Sequence, residues 1–330
     1  MNRDWCNGFR YDGGERGHYE SYFQRANHPT RPLAFWIRYT AFVPRGRARD
    51  AVGELWAIWF DGEARSVSAV KQVVPWASCR FEPRSLSATL GDATLDAARL
   101  AGSASSNGRA LSWSLDYRSP SPPLLLLPEG LYPGPFPKAK ALVGSPLAVF
   151  DGELRVDDEA HPIESWVGSQ NHNWGSRHTD EYAWGQVAGF DDSPGSFLEV
   201  TTARIKLGPV RGPWMTLVVL RHEGQEYALN SIGAALRADG RYELFAWSFS
   251  SSEGGVSIEG RIEAPHDLFV ALPYDNPPGG RKTCLNTKLA RCTLTLRRPG
   301  REPVVLRTKH RAAFEILTER DDHRVPVLGV

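Results

Sequence analysis

The stretch "LAFWIRYTAFVPRGRARDAVGELWAIWFD", residues 33–61, decides how the rest of the chain is read. Its two flanks, "LAFWIRYTAFV" and "GELWAIWFD", are rich in β-branched and aromatic residues, the composition that suits a pleated surface. The polar segment between them carries Pro, Gly and Arg and supplies a turn, so the pair is predicted as a β-hairpin with a moderately long loop. The pattern continues outward. "ALSWSLDY" (110–117), "SPLAVFDGELRVDD" (145–158), "SFLEVTTARIKL" (196–207), "WMTLVVLRHEG" (214–224), "QEYALNSIGAALRADG" (225–240) and "EPVVLRTKHRAAFEIL" (302–317) all read as strands between turn residues. Only "SLSATLGDATLDAARLAG" (85–102) carries a helical signal. "RSPSPPLLLLPEGLYPGPFPKAKALVG" (118–144) holds too many prolines for a central strand, because proline lacks the ladder donor; it reads as an irregular covering loop or interdomain strap. The expectation is an all-β chain of two antiparallel β-barrels or strongly curved sheets, residues 1–160 and 161–330.

Composition narrows the function classes. With 39 Lys and Arg against 38 Asp and Glu the net charge is +1, so no global field favours nucleic acid or an acidic membrane. Four cysteines (Cys6, Cys79, Cys284, Cys292) form no CxxC pair and are expected as free thiols. The N-terminus has no apolar signal region and the longest apolar run is far too short to span a bilayer, which predicts a soluble, cytoplasmic protein. No GxGxxG, GxxxxGK[ST] or GxSxG motif is present, so nucleotide, nicotinamide and serine-hydrolase chemistry have no support.

Strand alternation sorts candidate site residues by face. In "EYAWGQVAG" one face carries Tyr182, Trp184 and Gln186 and the other Ala183, Gly185 and Val187. Three large side chains with polar tips on one face suit a ligand cavity, since each needs a hydrogen-bond partner when buried. In "SFLEVTTARIKL" Glu199 shares a face with Phe197, Thr201 and Ala203. A carboxyl group buried among apolar neighbours gains a raised pKa and can act as a general acid, or it can sit in a structural ion pair. Glu54 and Trp56 share a face of "GELWAIWFD". "GHYESYF" places His18, Glu20 and Tyr22 together if extended. His172 and His178 suggest a metal at first sight, but in one strand they stand about 20 Å apart on a rise near 3.3 Å per residue. Asp180 is the nearest third ligand and no HxH or HExxH pattern exists, so no metal is expected. "NWGSRHTD" reads as a turn.

"GSQNHNWGSRHTDEYAWGQV" (168–187) resembles the signature of the AttH/carotenoid 1,2-hydratase superfamily of lipocalin-like proteins, a group related to tocopherol cyclase and lipocalin-like Diels–Alderases. "GHYESYFQRANHP", "AFWIRYTAF", "GELWAIWFD" and "YDNPPGGRKTCLNTKLARCTLTL" are similar to further blocks of that family. The resemblance implies two lipocalin-like barrels packed together and a cavity for an elongated apolar molecule at the barrel or domain interface. It implies a cofactor-independent hydratase, cyclase or isomerase acting on an isoprenoid-like or polyketide-like molecule, with a non-catalytic lipid- or pigment-binding protein as the alternative. Protonating an alkene needs a water-shielded acid and aromatic faces for the cation. The His-x-Trp pair of the hydratases matches His172 and Trp174. Their downstream Tyr-x-Asp pair is missing, which leaves Glu199 or Asp180 as acid beside His172 and Tyr182. Trp174, Trp184, Gln186, Glu54, Trp56 and Glu20 are the expected substrate-binding residues.

Overall fold

The structure, a computed structural model, describes residues 3–207 and 210–327. A short helix, α1 (Arg3–Asn7), precedes a first group of strands: β1 (His18–Asn27), β2 (Leu33–Val43), β3 (Val52–Asp61), β4 (Ser66–Pro75), β5 (Cys79–Phe81), β6 (Ser87–Leu90), β7 (Ala93–Asp96), β8 (Arg99–Ser106), β9 (Arg109–Arg118), β10 (Leu124–Leu125), β11 (Ala139–Val156) and β12 (Glu159–Gly175). A second group follows: β13 (Glu181–Ala188), β14 (Phe197–Arg204), β15 (Lys206–Leu207), β16 (Val210–Arg211), β17 (Met215–His222), β18 (Gln225–Leu229), then α2 (Ile232–Arg237), β19 (Asp239–Glu243), β20 (Ala246–Glu253), β21 (Val256–Glu263), β22 (Val270–Asp275), β23 (Arg281–Arg297) and β24 (Val304–Thr318).

The first group forms one antiparallel sheet in the order β4-β3-β2-β1-β12-β11-β9-β8-β7-β6-β5. Its β4 packs back on β8 and β9, which curls the sheet into a nearly closed barrel. The second sheet runs β18-β17-β14-β13-β24-β23-β21-β20-β19, and β17 packs back on β19 and β20. The all-β, two-barrel expectation holds. The β2–β3 hairpin pairs Leu33 with Asp61 through Phe42 with Val52, as residues 33–61 predict. No helix among the described residues is long and apolar enough to cross a membrane.

Two local readings are corrected. Residues 85–102 are not helical but carry β6, β7 and the start of β8, where Leu90, Leu95 and Leu100 enter the first barrel's core. Conversely, "SIGAALR" inside the expected strand 225–240 is the helix α2. Ser231 caps it by accepting the Ala234 amide, a serine N-cap that the strand reading passed over. In sheet membership, β12 stays in the first sheet to Gly175, and residues 176–180 lead into the second.

Each barrel is filled by its own apolar core, with Phe35, Tyr39, Trp59, Trp113 and Phe150 in the first and Trp247, Phe249, Leu285 and Phe314 in the second. A third core joins the barrels and includes Trp36, Ile58 and Phe60 from one side and Val270, Leu272, Cys284 and Leu317 from the other. Burying each of these large side chains contributes about 1.5–3 kcal/mol, so the barrels are held face to face by packing as well as by the covalent link. The proline-rich segment acts as the expected strap. Leu124 and Leu126 enter a core with Phe197, Leu217 and Val219 of the second barrel, and the Pro123 carbonyl accepts a 2.8 Å bond from Arg221 Nη2. All four cysteines are free and buried.

Candidate functional site

The segment "SQNHNW", Ser169–Trp174, is the last part of the long strand β12, bonded to β1 on one edge and β11 on the other, so of the expected turn 173–180 only residues 176–180 lie outside a strand. Side chains of a strand alternate, so this one hexapeptide supplies two polar clusters on opposite faces of the first sheet.

Gln170, His172 and Trp174 face inward, opposite Gln24, Tyr22 and Glu20 of β1. Glu20 is fully buried and is the centre of this cluster. Its Oε1 meets His172 Nε2 at 2.8 Å and its Oε2 meets His18 Nε2 at 2.7 Å. The Arg10 amide donates to both oxygens at 3.0 and 2.9 Å, and the Tyr22 hydroxyl donates at 3.3 Å. Burial raises the Glu20 pKa, but the hydrogen bonds from His172 and His18 outweigh it and hold the carboxyl below its ordinary value. His172 Nδ1 lies 2.7 Å from the Cys6 carbonyl, which can only accept, so Nδ1 carries a proton and the Nε2–Glu20 contact shares another. The His172 ring lies between Tyr22 and Trp174, with centroids 4.4 and 4.5 Å away. The expected grouping of His18, Glu20 and Tyr22 therefore exists, with His172 and Trp174 added to it.

Ser169, Asn171 and Asn173 face the other way, into the layer between the barrels. Here the alternation of "EYAWGQVAG" is realised: Ala183 and Val187 enter the second barrel's core, while Tyr182, Trp184 and Gln186 face the first barrel. Glu199 on β14 pairs with Gln186 and is almost completely buried. Its Oε1 accepts from Trp184 Nε1 and its Oε2 from Gln186 Nε2, both at 2.8 Å. Burial pushes its carboxyl up to about 7, against the lowering by these two donors and by the Arg25 charge. Gln186 is itself fixed at every polar atom: its Oε1 accepts from Arg25 Nε at 2.7 Å and Ser169 Oγ at 2.6 Å, and its Nε2 also donates to Asn171 Oδ1 at 2.8 Å.

Beside Glu199 lies a second buried pair. Lys288 Nζ is 2.8 Å from Glu315 Oε1 and 2.6 Å from Asn286 Oδ1. The same ammonium stands 5.5 Å from the Trp184 ring centroid and 5.8 Å from that of Trp36. Two indole faces of this layer thus already accommodate a positive charge. Tyr182 donates to Glu315 Oε2 at 3.5 Å, at the limit of a hydrogen bond. Phe23, Asn173, Tyr182 and Thr201 remain half-buried and form the less enclosed side of the layer.

The remaining expected residues fall elsewhere. Glu54 pairs with Lys71 at 2.8 Å and accepts from Trp56 Nε1 at 3.2 Å; the Trp56 ring packs edge-on against Tyr274, so Trp56 belongs to the inter-barrel core. Asp180 is held in the turn after β12, 2.6 Å from Arg177 and 3.7 Å from Lys282. Burial and nearby cations lower His178 to about 3, and its ring stacks on Tyr19. The barrel interiors are filled by side chains. Two shallow recesses of about 220 and 280 Å³ lie away from Glu199, at Leu55–Gln72–Leu90 and at Ser250–Glu259. These recesses contribute none of the residues of the layer between the barrels. Among the described residues no cluster of His, Cys, Asp and Glu could hold a metal ion.

Sequence reasoning missed Arg25, Arg38, Lys288 and Glu315, because charged side chains are assigned to solvent by default. Arg38 did carry a signal: it is the one charge in the eleven-residue run "LAFWIRYTAFV".

A two-barrel β chain with a buried acid and aromatic rings between the barrels is the class that the fold and this layer define, and comparisons place that fold among lipocalin-like proteins. No protein-family model matches the chain. It is 28% identical over 301 residues to uncharacterized proteins of two Mycobacterium tuberculosis strains, CDC 1551 and H37Rv, covering 90% of this chain and 86% of each relative. Among solved structures it is similar to a candidate AttH from Nitrosomonas europaea, with TM-score 0.60 and 14% identity over 94% of both chains. It is also similar to kievitone hydratase from Nectria haematococca, with TM-score 0.58 and 11% identity over 97% of this chain and 95% of that one. CghA matches with TM-score 0.56 and 13% identity over 94% and 90% of the two chains. The chain has the fold of the AttH-like, lipocalin-like proteins.

Proposed function

We propose that the protein is a cofactor-independent enzyme that protonates an apolar, isoprenoid-like or polyketide-like small molecule in the layer between its barrels, as a hydratase, cyclase or isomerase. The observation that carries this reading is Glu199, a buried carboxyl that burial raises to about 7 and that Trp184 Nε1 contacts at 2.8 Å. Near neutral pH such a group is part protonated and can act as a general acid. The indole faces that flank Lys288 would stabilise the cation formed on proton transfer. Gln186 and Arg25 position the carboxyl, and Tyr182, Phe23 and Asn173 form the side from which the substrate enters. Asp180 anchors its turn and is not assigned a chemical role. A similarly folded protein is named as a hydratase, and another was crystallised with the compound Sch210972, which is consistent with a small-molecule substrate.

A second reading, a non-catalytic lipid or pigment carrier, is favoured by one feature: both Glu199 oxygens already accept a hydrogen bond. The two separate in one experiment. A panel of prenylated phenols and polyenes is incubated with the protein in deuterium oxide, and carbon-bound deuterium is read by mass spectrometry. Incorporation that falls at least 100-fold in Glu199→Gln, and at most threefold in Asp180→Asn, supports the enzyme. Ligand retention without incorporation supports the carrier.

A further inference from the structure

Arg38 sits in the same inter-barrel layer with no carboxylate at ion-pair distance among the described residues; burial lowers its pKa, but Tyr274, Glu54 and Glu315, acting from further off, outweigh that and hold it above its ordinary value. Its neighbours on β1 and β3 in the ladder are Phe23 and Trp56. It is 5% exposed. The guanidinium lies 4.6 Å from the Tyr274 ring centroid and 6.0 Å from that of Trp36. Its Nη2 donates to Ser21 Oγ at 2.6 Å, and among the described residues the buried Nε has no acceptor. Lys288 pairs with Glu315 and Lys71 with Glu54, while Arg25, likewise without a carboxylate at ion-pair distance, donates to the amide oxygens of Gln186 and Asn27. A buried guanidinium offers five donors in a planar fork, and leaving even one of them without an acceptor is costly.

The aromatic setting says what kind of acceptor fits. Tyr274 and Trp36 cover the guanidinium, and the Trp36 indole continues to Lys288, which touches Trp184, whose Nε1 binds Glu199. Arg38 and Glu199 thus stand at the two ends of one row of contacts that runs through Trp36, Lys288 and Trp184. The planar fork matches two oxygens in one plane better than a single hydroxyl.

Resting on the enzyme reading above, we propose that Arg38 is the substrate's anion-binding residue, so that the natural ligand is an apolar chain ending in a planar oxyanion, a carboxylate or the enolate of a 1,3-dicarbonyl. Arg38 then fixes the orientation of the chain and decides which double bond lies against Glu199.

The test uses a matched pair, geranate and geraniol, which share the C10 chain and differ in carboxylate against alcohol. Binding to the full-length protein is measured by titration calorimetry. The expected result is geranate binding at least tenfold tighter than geraniol. In Arg38→Gln the preference falls to within twofold while geraniol affinity is retained, which also shows that the variant is folded. Arg38→Lys, which keeps the charge and loses the fork, recovers part of the preference. Equal binding of the two probes to the wild type overturns the anion site and leaves the apolar-ligand reading standing. A preference that survives in Arg38→Gln overturns the assignment to Arg38. Failure of both probes to bind overturns the proposal for this chain class, whereas the enzyme reading fails only on the deuterium experiment.

Discussion

Arg25 of the first sheet donates to Gln186 of the second at 2.7 Å, and this bond fixes which way the Gln186 amide points. With its oxygen committed to Arg25 and Ser169, its nitrogen must face Glu199 and Asn171. The acid therefore receives its second donor only when the two barrels are docked. This ties the protonation of Glu199 to the inter-barrel interface.

The first consequence is a pH-dependent stability. Glu199 titrates near 4.5 when unfolded and near 7 when folded, so between these values the folded state holds the extra proton. Stability is then greatest below pH 4.5, falls as pH rises to about 7, and is level above it. The span corresponds to about 3 kcal/mol at 1.36 kcal/mol per unit. Glu199→Gln removes this slope. Urea unfolding of both proteins at pH 5, 6, 7 and 8 should show the wild type losing stability relative to the variant across that window. Parallel curves would mean that Glu199 is not held protonated. Trp184→Phe, which removes a donor to the carboxylate, should move the wild-type window to higher pH.

Glu20 gives the opposite sign. Its folded pKa lies below its unfolded value, so its contribution is present above about 4.5 and is lost as pH falls through the folded value. Glu20→Ala leaves His172, His18, Tyr22 and the Arg10 amide facing an empty position. Breaking a buried pair in this way costs about 3–5 kcal/mol. Denaturant titration at pH 7 should register that loss, and the loss should shrink at pH 4. A change under 1 kcal/mol at pH 7 would show that water replaces the carboxylate without penalty.

What could be read from the chain alone follows the side-chain period. The two faces of β13 were legible because Ala183, Gly185 and Val187 differ so plainly from Tyr182, Trp184 and Gln186. Glu199 was legible as the lone acid of its face. The strand character of Ser169–Trp174 was not, since Ser, Asn and Gln are weak strand formers; it is imposed by β1 and β11 bonding on both edges. Nor could local pattern show that this segment serves two layers, because which sheet faces which is a long-range property. The same reason hid Arg25, Lys288 and Glu315, whose strands look amphipathic until a second barrel covers the polar side.

Gly185 tests the face assignment directly. A Cβ there would clash with Ile262 Cδ1 and stand 3.1 Å from the Trp247 ring, inside the second barrel. Gly185→Val should therefore overpack that core and cost about 1–3 kcal/mol. Ile262→Ala makes room and should return part of the loss when combined with it, so the two substitutions are non-additive. The strained β13 also carries Trp184 and Gln186 on its other face. Any displacement loosens their bonds to Glu199, whose pKa both bonds lower. Gly185→Val should accordingly carry the stability window of Glu199 to higher pH, and the double variant should restore it. Additive losses with an unmoved window would mean that Gly185 does not face Ile262.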